Sequence, residues 1–149
     1  MATVSSASDG VLDDQAIVLA GSARTRDDAI SEAGALLVAS GAVEPSYVAA
    51  MHEREQSVST YMGNLLAIPH GTNEAKGAIR RTALSFVRYP DGVEWDANRV
   101  EFVIAIAGAG DDHLALLSRL AGIFVDDDRV QELRAARSAS EVRRILDAG

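Results

Sequence analysis

The chain has no cysteine among its 149 residues. Disulfides, a thiolate nucleophile and any thiolate metal site are therefore excluded. No apolar run approaches the roughly 18 residues of a membrane-spanning helix, so no direct membrane insertion is expected. Met1 to Gly10 is small and polar and lacks the basic-then-apolar order of a signal peptide. A flexible tail over residues 1–10 and a cytoplasmic location are the expectation. Basic charge is also scarce: 14 Lys and Arg stand against 22 Asp and Glu, a net charge of −8. That balance argues against nucleic acid or an anionic membrane as a partner.

Several catalytic signatures are missing as well. No phosphate-binding G-x-x-x-x-G-K-[ST] loop occurs, and Gly108-Ala109-Gly110 lacks the third glycine of a dinucleotide fingerprint. No G-x-S-x-G elbow supports acyl transfer through serine. His52-Glu53 has Gln56 where the second histidine of H-E-x-x-H must stand, which removes a zinc protease. Asp126 to Asp128 lack the glycine and distal glutamate of a calcium loop and read as helix-start carboxylates. No metal and no cofactor is expected.

What is present is a globular composition, 48% apolar and 24% charged, at a length suited to one domain over residues 11–149. Ala16 to Ala20 reads as a short first strand. Thr25 caps a helix with Ile30, Ala33, Leu36 and Leu37 on one face, closed by Gly41. Pro45 opens a second helix that turns Tyr47, Val48 and Met51 inward. Glu74 to Gly77 is loop-like. Arg80 to Tyr89 alternates, and Tyr89-Pro90-Asp91-Gly92-Val93 reads as a hairpin turn leading to a returning Val93-Glu94-Trp95 strand. Val100 to Ala107 is the most hydrophobic run and the candidate central strand, buried on both faces. Asp111-Asp112 is expected to cap a helix with Leu114, Leu117, Leu120, Ala121 and Phe124 on its core face. Asp126 starts another helix with Val130 and Leu133 inward. Ser138 to Glu141 is a capping box for a last helix carrying Val142, Ile145 and Leu146. Strands alternate with helices, which predicts a single α/β domain with helices on both faces of a sheet.

The stretch Gly63-Asn64-Leu65-Leu66-Ala67-Ile68-Pro69-His70-Gly71-Thr72 organises the rest. Pro69 fixes its own φ and holds Ile68 extended, so His70 sits at a rigid strand end. Gly71 leaves one side of the imidazole uncrowded. His113 falls in the first turn of a helix, directly after the most buried strand, where open α/β sheets bind ligands. If the two strands are neighbours, both imidazoles reach one crevice. Arg54, near the end of the second helix, either pairs with Glu53 or Glu55 or brings a guanidinium to that crevice. A neutral imidazole nitrogen can attack a phosphoryl group while arginine and a second histidine take the charge on its oxygens.

The same stretch resembles the active-site signature of enzyme IIA of the mannitol/fructose class (type 2) in the bacterial phosphoenolpyruvate-dependent sugar phosphotransferase system. Val43 to Val48 with Met51 and Arg54-Glu55, and Tyr89-Pro90-Asp91-Gly92-Val93, are most similar to the mannitol-type members. The aliphatic run into a glycine, followed by acidic residues and His113, matches in order and spacing. The resemblance implies a mixed β-sheet flanked by helices. It implies that His70 accepts a phosphoryl group from the phosphocarrier HPr and passes it to a cysteine on a IIB domain of a sugar permease. Transport of mannitol or a similar sugar alcohol would follow; a regulatory, nitrogen-type member would use the same histidine to control other proteins by binding them. Arg54 and His113 take supporting roles by this matching. Thr72, Gly71 and Asn64 are the candidate phosphate contacts, with Thr72 alternatively capping the turn and Asn64 given a polar contact only, since other members carry a glutamate there.

Overall fold

The computed structural model describes residues 11–148. The tail expected over 1–10, and Gly149, lie outside the described residues. Five strands make one mixed sheet: β1 (Ile17–Val18), β2 (Tyr61–Gly63), β3 (Leu66–Ala67), β4 (Ala83–Trp95) and β5 (Asn98–Ala107). Their order across the sheet is β1-β4-β5-β3-β2. β1 runs parallel to β4 and β3 parallel to β5, while β4–β5 and β2–β3 are antiparallel pairs. The helices are α1 (Arg26–Ala39), α2 (Ser46–Ser57), α3 (Asp112–Phe124), α4 (Asp127–Ala135) and α5 (Ala139–Ala148). No helix of the described residues is long and apolar enough to cross a membrane.

Side chains alternate across a strand, so the two long strands feed two cores. Leu84, Phe86, Phe102, Ile104 and Ile106 pack with residues of α3, α4 and α5 on one face. Ala83, Val87, Val103, Ala105 and Ala107 pack with α1 and α2 on the other. That is why Val100 to Ala107 is apolar at every position but Glu101: each residue of it is buried, and the Glu101 carboxylate is paired with Arg99 and Arg134. Helices cover both faces, as expected.

The caps follow the sequence at three helices. Thr25 Oγ1 accepts from Asp28 N at 3.1 Å and Asp126 Oδ1 from Asp128 N at 3.0 Å. Ser138 Oγ accepts from Glu141 N at 3.1 Å. At α3 the expectation fails: Asp111 makes no side-chain cap, and the Asp112 carboxylate instead accepts from the Thr82 hydroxyl at 2.6 Å. The core face of α3 is also different. Leu116, Leu120, Ile123 and Phe124 are buried, whereas Leu114 is 68% exposed. Leucines at 114, 116 and 117 offer competing stripes, and the sheet takes the one that continues through Leu120 to Ile123 and Phe124. Residues Asn73–Ala78 form a 3-10 turn where a plain loop was expected.

The hairpin turn is likewise misplaced by its sequence signal. β4 runs straight through Pro90-Asp91-Gly92 to Trp95, and its pairing with β5 skips from Arg88 to Val93. The segment is a bulge; Gly92 has φ +79°, and Arg99 donates to the carbonyls of Asp91 and Pro90 at 3.0 and 3.2 Å. The chain reverses at Asp96 and Ala97, with φ of 51° and 73°. Two successive positive φ values are what a tight two-residue hairpin requires. A bulge and a turn demand the same proline and glycine chemistry, which is why the sequence alone assigned the wrong one.

Candidate active site

Parallel pairing of β3 with β5 sets the carboxyl ends of both strands side by side. Ile68 and Pro69 extend β3 to His70, which bridges Ile106 in parallel, and Ile106 N donates to Pro69 O at 3.0 Å. β5 ends one residue later, and the chain turns through Gly108 into α3, placing His113 in its first turn. The two imidazoles meet edge to face, ring centroids 4.7 Å apart and planes at 61°. Arg54 enters from the last turn of α2, and Thr72, Glu74 and Lys76 from the segment after His70. Together they line a cleft of about 240 Å³. Sites for drug-sized ligands span about 300–1,000 Å³, so this cleft is smaller than those. Among the described residues no group of three or more His, Asp or Glu could hold a metal ion.

The chemistry of His70 follows from one hydrogen bond. Its Nδ1 lies 2.9 Å from Ile68 O. A carbonyl oxygen only accepts, so Nδ1 carries the proton and the lone pair is left on Nε2. Burial holds the imidazole below its usual pKa; Arg54's charge works in the same direction, against the Ile68 hydrogen bond and the Glu55 charge. His113 is lowered too, by burial first and then by His70, Lys76 and Arg54. With ordinary histidine near 6.5, both rings are neutral at pH 7. The result is a neutral imidazole with its lone pair on Nε2, beside a second neutral ring.

A chain of buried hydrogen bonds fixes this geometry. Ile68 N donates to Thr60 O at 3.0 Å, so the Ile68 residue is held between Thr60 and His70. Thr60 is held in turn by Glu55, whose carboxylate accepts from Thr60 N at 2.9 Å and Thr60 Oγ1 at 2.6 Å. The indole of Trp95 donates to the same carboxylate at 2.9 Å. On the other side, the Tyr47 hydroxyl accepts from Gly71 N and donates to Ile106 O, both at 2.9 Å. It ties the His70 segment to the end of β5.

Glycine is required at two positions by close approach. A Cβ on Gly71 would lie 2.6 Å from the Tyr47 ring, and one on Gly108 would lie 2.6 Å from His113 Cα. Gly108 therefore lets α3 come down on the end of β5. Gly108→Ala is expected to push the first turn of α3 outward, costing about 1–3 kcal/mol as an overpacked core change does. Urea unfolding would measure the cost, and the separation of the two histidine rings would be seen in NMR contacts between them.

The structure thus brings five sequence candidates, His70, His113, Arg54, Gly71 and Thr72, into one cleft. Thr72 makes no side-chain cap to its 3-10 turn, so its hydroxyl is not consumed there. Arg54 pairs with neither Glu53 nor Glu55; one of its terminal nitrogens donates to Val58 O at 2.6 Å. Asn64 is not brought in. It occupies the β2–β3 turn with φ 50°, and its amide donates to Phe124 O at 2.6 Å, closing the end of α3. Asn64 is thus a turn and cap residue, and a phosphate contact from it is withdrawn. An asparagine tolerates positive φ and bonds backbone nearby, which is the chemistry used here. His52 is also elsewhere, 2.8 Å from Ser31 Oγ. Glu55, Thr60, Tyr47, Gly108 and Lys76 were not singled out by the sequence for the site. The one signal that could have pointed to Glu55 is the lone tryptophan, since a buried indole N–H needs an acceptor.

Residues 10–149 match the family described as phosphoenolpyruvate-dependent sugar phosphotransferase system, EIIA 2. A mannitol-specific phosphotransferase enzyme IIA component of Halalkalibacterium halodurans is 45% identical over 136 residues, 91% of this chain and 94% of that one. The IIA mannitol protein of Escherichia coli superposes with a TM-score of 0.82 at 36% identity, covering 89% of this chain and 96% of that chain. A complex of Escherichia coli enzyme IIA with phosphorylated enzyme IIB for mannitol contains a chain that superposes with a TM-score of 0.86 at 33% identity, covering 93% of this chain and 100% of that one. With the family matched over residues 10–149 and a mannitol-specific relative 45% identical over 91% of this chain, the chain belongs to the EIIA type-2 family of the phosphoenolpyruvate-dependent sugar phosphotransferase system and is a phosphotransferase.

Proposed function

We propose that this chain carries a phosphoryl group from the phosphohistidine of HPr to a cysteine of a IIB domain, through Nε2 of His70, in cytoplasmic uptake of mannitol or a similar sugar alcohol. The observation that supports this most is the 2.9 Å hydrogen bond from His70 Nδ1 to Ile68 O, which leaves Nε2 as the free lone pair. In the first half-reaction Nε2 attacks phosphorus in line, the P–N bond of the donor breaks, and the donor imidazole leaves with the electron pair. In the second, an incoming thiolate forms a P–S bond and His70 leaves. Little covalent work is asked of the protein: the transition state is loose, and catalysis is positioning plus stabilisation of charge on three equatorial oxygens. Arg54 and His113 supply that stabilisation, one as a charge and the other as a ring N–H donor. The relatives named for mannitol favour the transport reading over the regulatory one.

The test is a reconstituted relay of phosphoenolpyruvate, its HPr kinase, HPr, this chain and a mannitol IIB domain. Labelled phosphate should pass through this chain onto the IIB cysteine, and a IIB domain that stays unlabelled overturns the reading. Arg54→Ala is expected to slow the first transfer by about 100-fold and His113→Ala by about 10- to 100-fold, in proportion to a lost charge-assisted or neutral oxyanion donor. Both should unfold at the wild-type urea midpoint, since neither side chain belongs to the buried core. Wild-type rates in either variant would remove its role.

A further inference from the structure

Arg54 and His113 together offset only part of the charge of the transferred group. A phosphoryl group near neutral pH carries roughly two negative charges. His113 meets it as a neutral ring, and Arg54 brings one positive charge with part of its donor fork committed to Val58 O. Another cation lines the cleft, Lys76. It is the only lysine in the chain. Among the described residues its ammonium makes no ion pair or hydrogen bond, although Glu74 lines the same cleft. Its backbone is fixed, with Lys76 O accepting from Ile79 N at 3.1 Å and Ala78 O accepting from Glu44 N at 2.8 Å. Its charge reaches the reacting centre, since it disfavours protonation of His113.

We propose that Lys76 is a catalytic residue of the phosphoryl transfer, its ammonium binding an equatorial oxygen of the group on His70 and completing with Arg54 the neutralisation of its two charges. This rests on the reading of His70 as the phosphoryl acceptor. A compact ammonium on a flexible stem suits a group that arrives with one protein and leaves with another, because it can follow the oxygens without a fixed fork. Lys76 is exposed, so solvent screens it, and its loss should slow transfer about tenfold rather than the larger factor of a buried oxyanion donor.

Two donors separate charge stabilisation from docking. Phosphoramidate is a small-molecule donor: the Nε2–P bond forms, its own P–N bond breaks, and ammonia leaves. Phospho-HPr is the protein donor. Labelling of His70 by each is followed in wild type, Lys76→Met and Lys76→Arg, with His70→Ala as the control for the acceptor. Lys76→Met should be about tenfold slower with both donors, and Lys76→Arg should stay within about threefold of wild type. Equal rates for wild type and Lys76→Met overturn the proposal, as does a defect confined to phospho-HPr, which would make Lys76 a docking residue. Label retained by His70→Ala would instead overturn the reading of the acceptor, and the role of Lys76 with it.

Discussion

His70→Ala is expected to bring labelling by phospho-HPr to background while the chain remains folded. Among the described residues His70 is the one imidazole whose Nδ1 is committed to a carbonyl, leaving Nε2 free; no such bond fixes the tautomer of His113, whose ring packs against His70 at 4.7 Å between centroids. His70 is only partly buried, and the bond lost to Ile68 O is a single neutral one, so the stability cost is about 1 kcal/mol. A second signature follows from its lowered pKa. The folded state holds His70 neutral below the pH at which an unfolded histidine takes up its proton, so between the two values the unfolded chain binds more protons. This contribution to stability is therefore lost as pH falls below about 6.5. In His70→Ala the loss on acidification should be smaller, which urea midpoints at two pH values would detect.

The second large effect is expected far from any phosphate. Glu55 is 4% exposed and accepts from Thr60 N, Thr60 Oγ1 and the Trp95 indole. Glu55→Ala orphans three buried donors at once, each worth about 1–3 kcal/mol when unsatisfied. With partial relaxation the loss is about 3–5 kcal/mol, the range seen when one partner of a buried charged contact is removed. Glu55→Gln keeps the shape and one acceptor oxygen, so it should recover more than half of that loss. Because Thr60 holds the Ile68 residue that orients His70, even the folded fraction of Glu55→Ala should label slowly. Thermal unfolding and the labelling rate together check both statements. A variant as stable as wild type would show that the chain of bonds from Trp95 to His70 contributes nothing.

The α/β layers were legible because β5 is continuously apolar from Phe102 to Ala107 and because Thr25, Asp126 and Ser138 sit where helix caps belong. The heart of the site was legible for a related reason: the proline and glycine around His70 constrain the backbone locally, and His113 follows a strand end. What stayed hidden depends on distance in space. Glu55 reads as one more charge in a helix end until Trp95, forty residues on, is seen to donate to it. Tyr47 reads as core, and its hydroxyl gains meaning only where Gly71 and Ile106 come together. The errors have a shared cause as well. Asn64 and the Pro90–Gly92 segment carry residue types that serve several backbone conformations, so the sequence named a chemistry without naming its use.

The central claim is that the phosphoryl group is carried on Nε2 of His70. Phosphorylate the chain with phospho-HPr, with its histidines isotope-labelled, and identify the bonded nitrogen by NMR. A single phosphohistidine at His70, with phosphorus coupled to Nε2 and Nδ1 still protonated, is the predicted result. Phosphorus on Nδ1 of His70, or on His113 or His52, would contradict it.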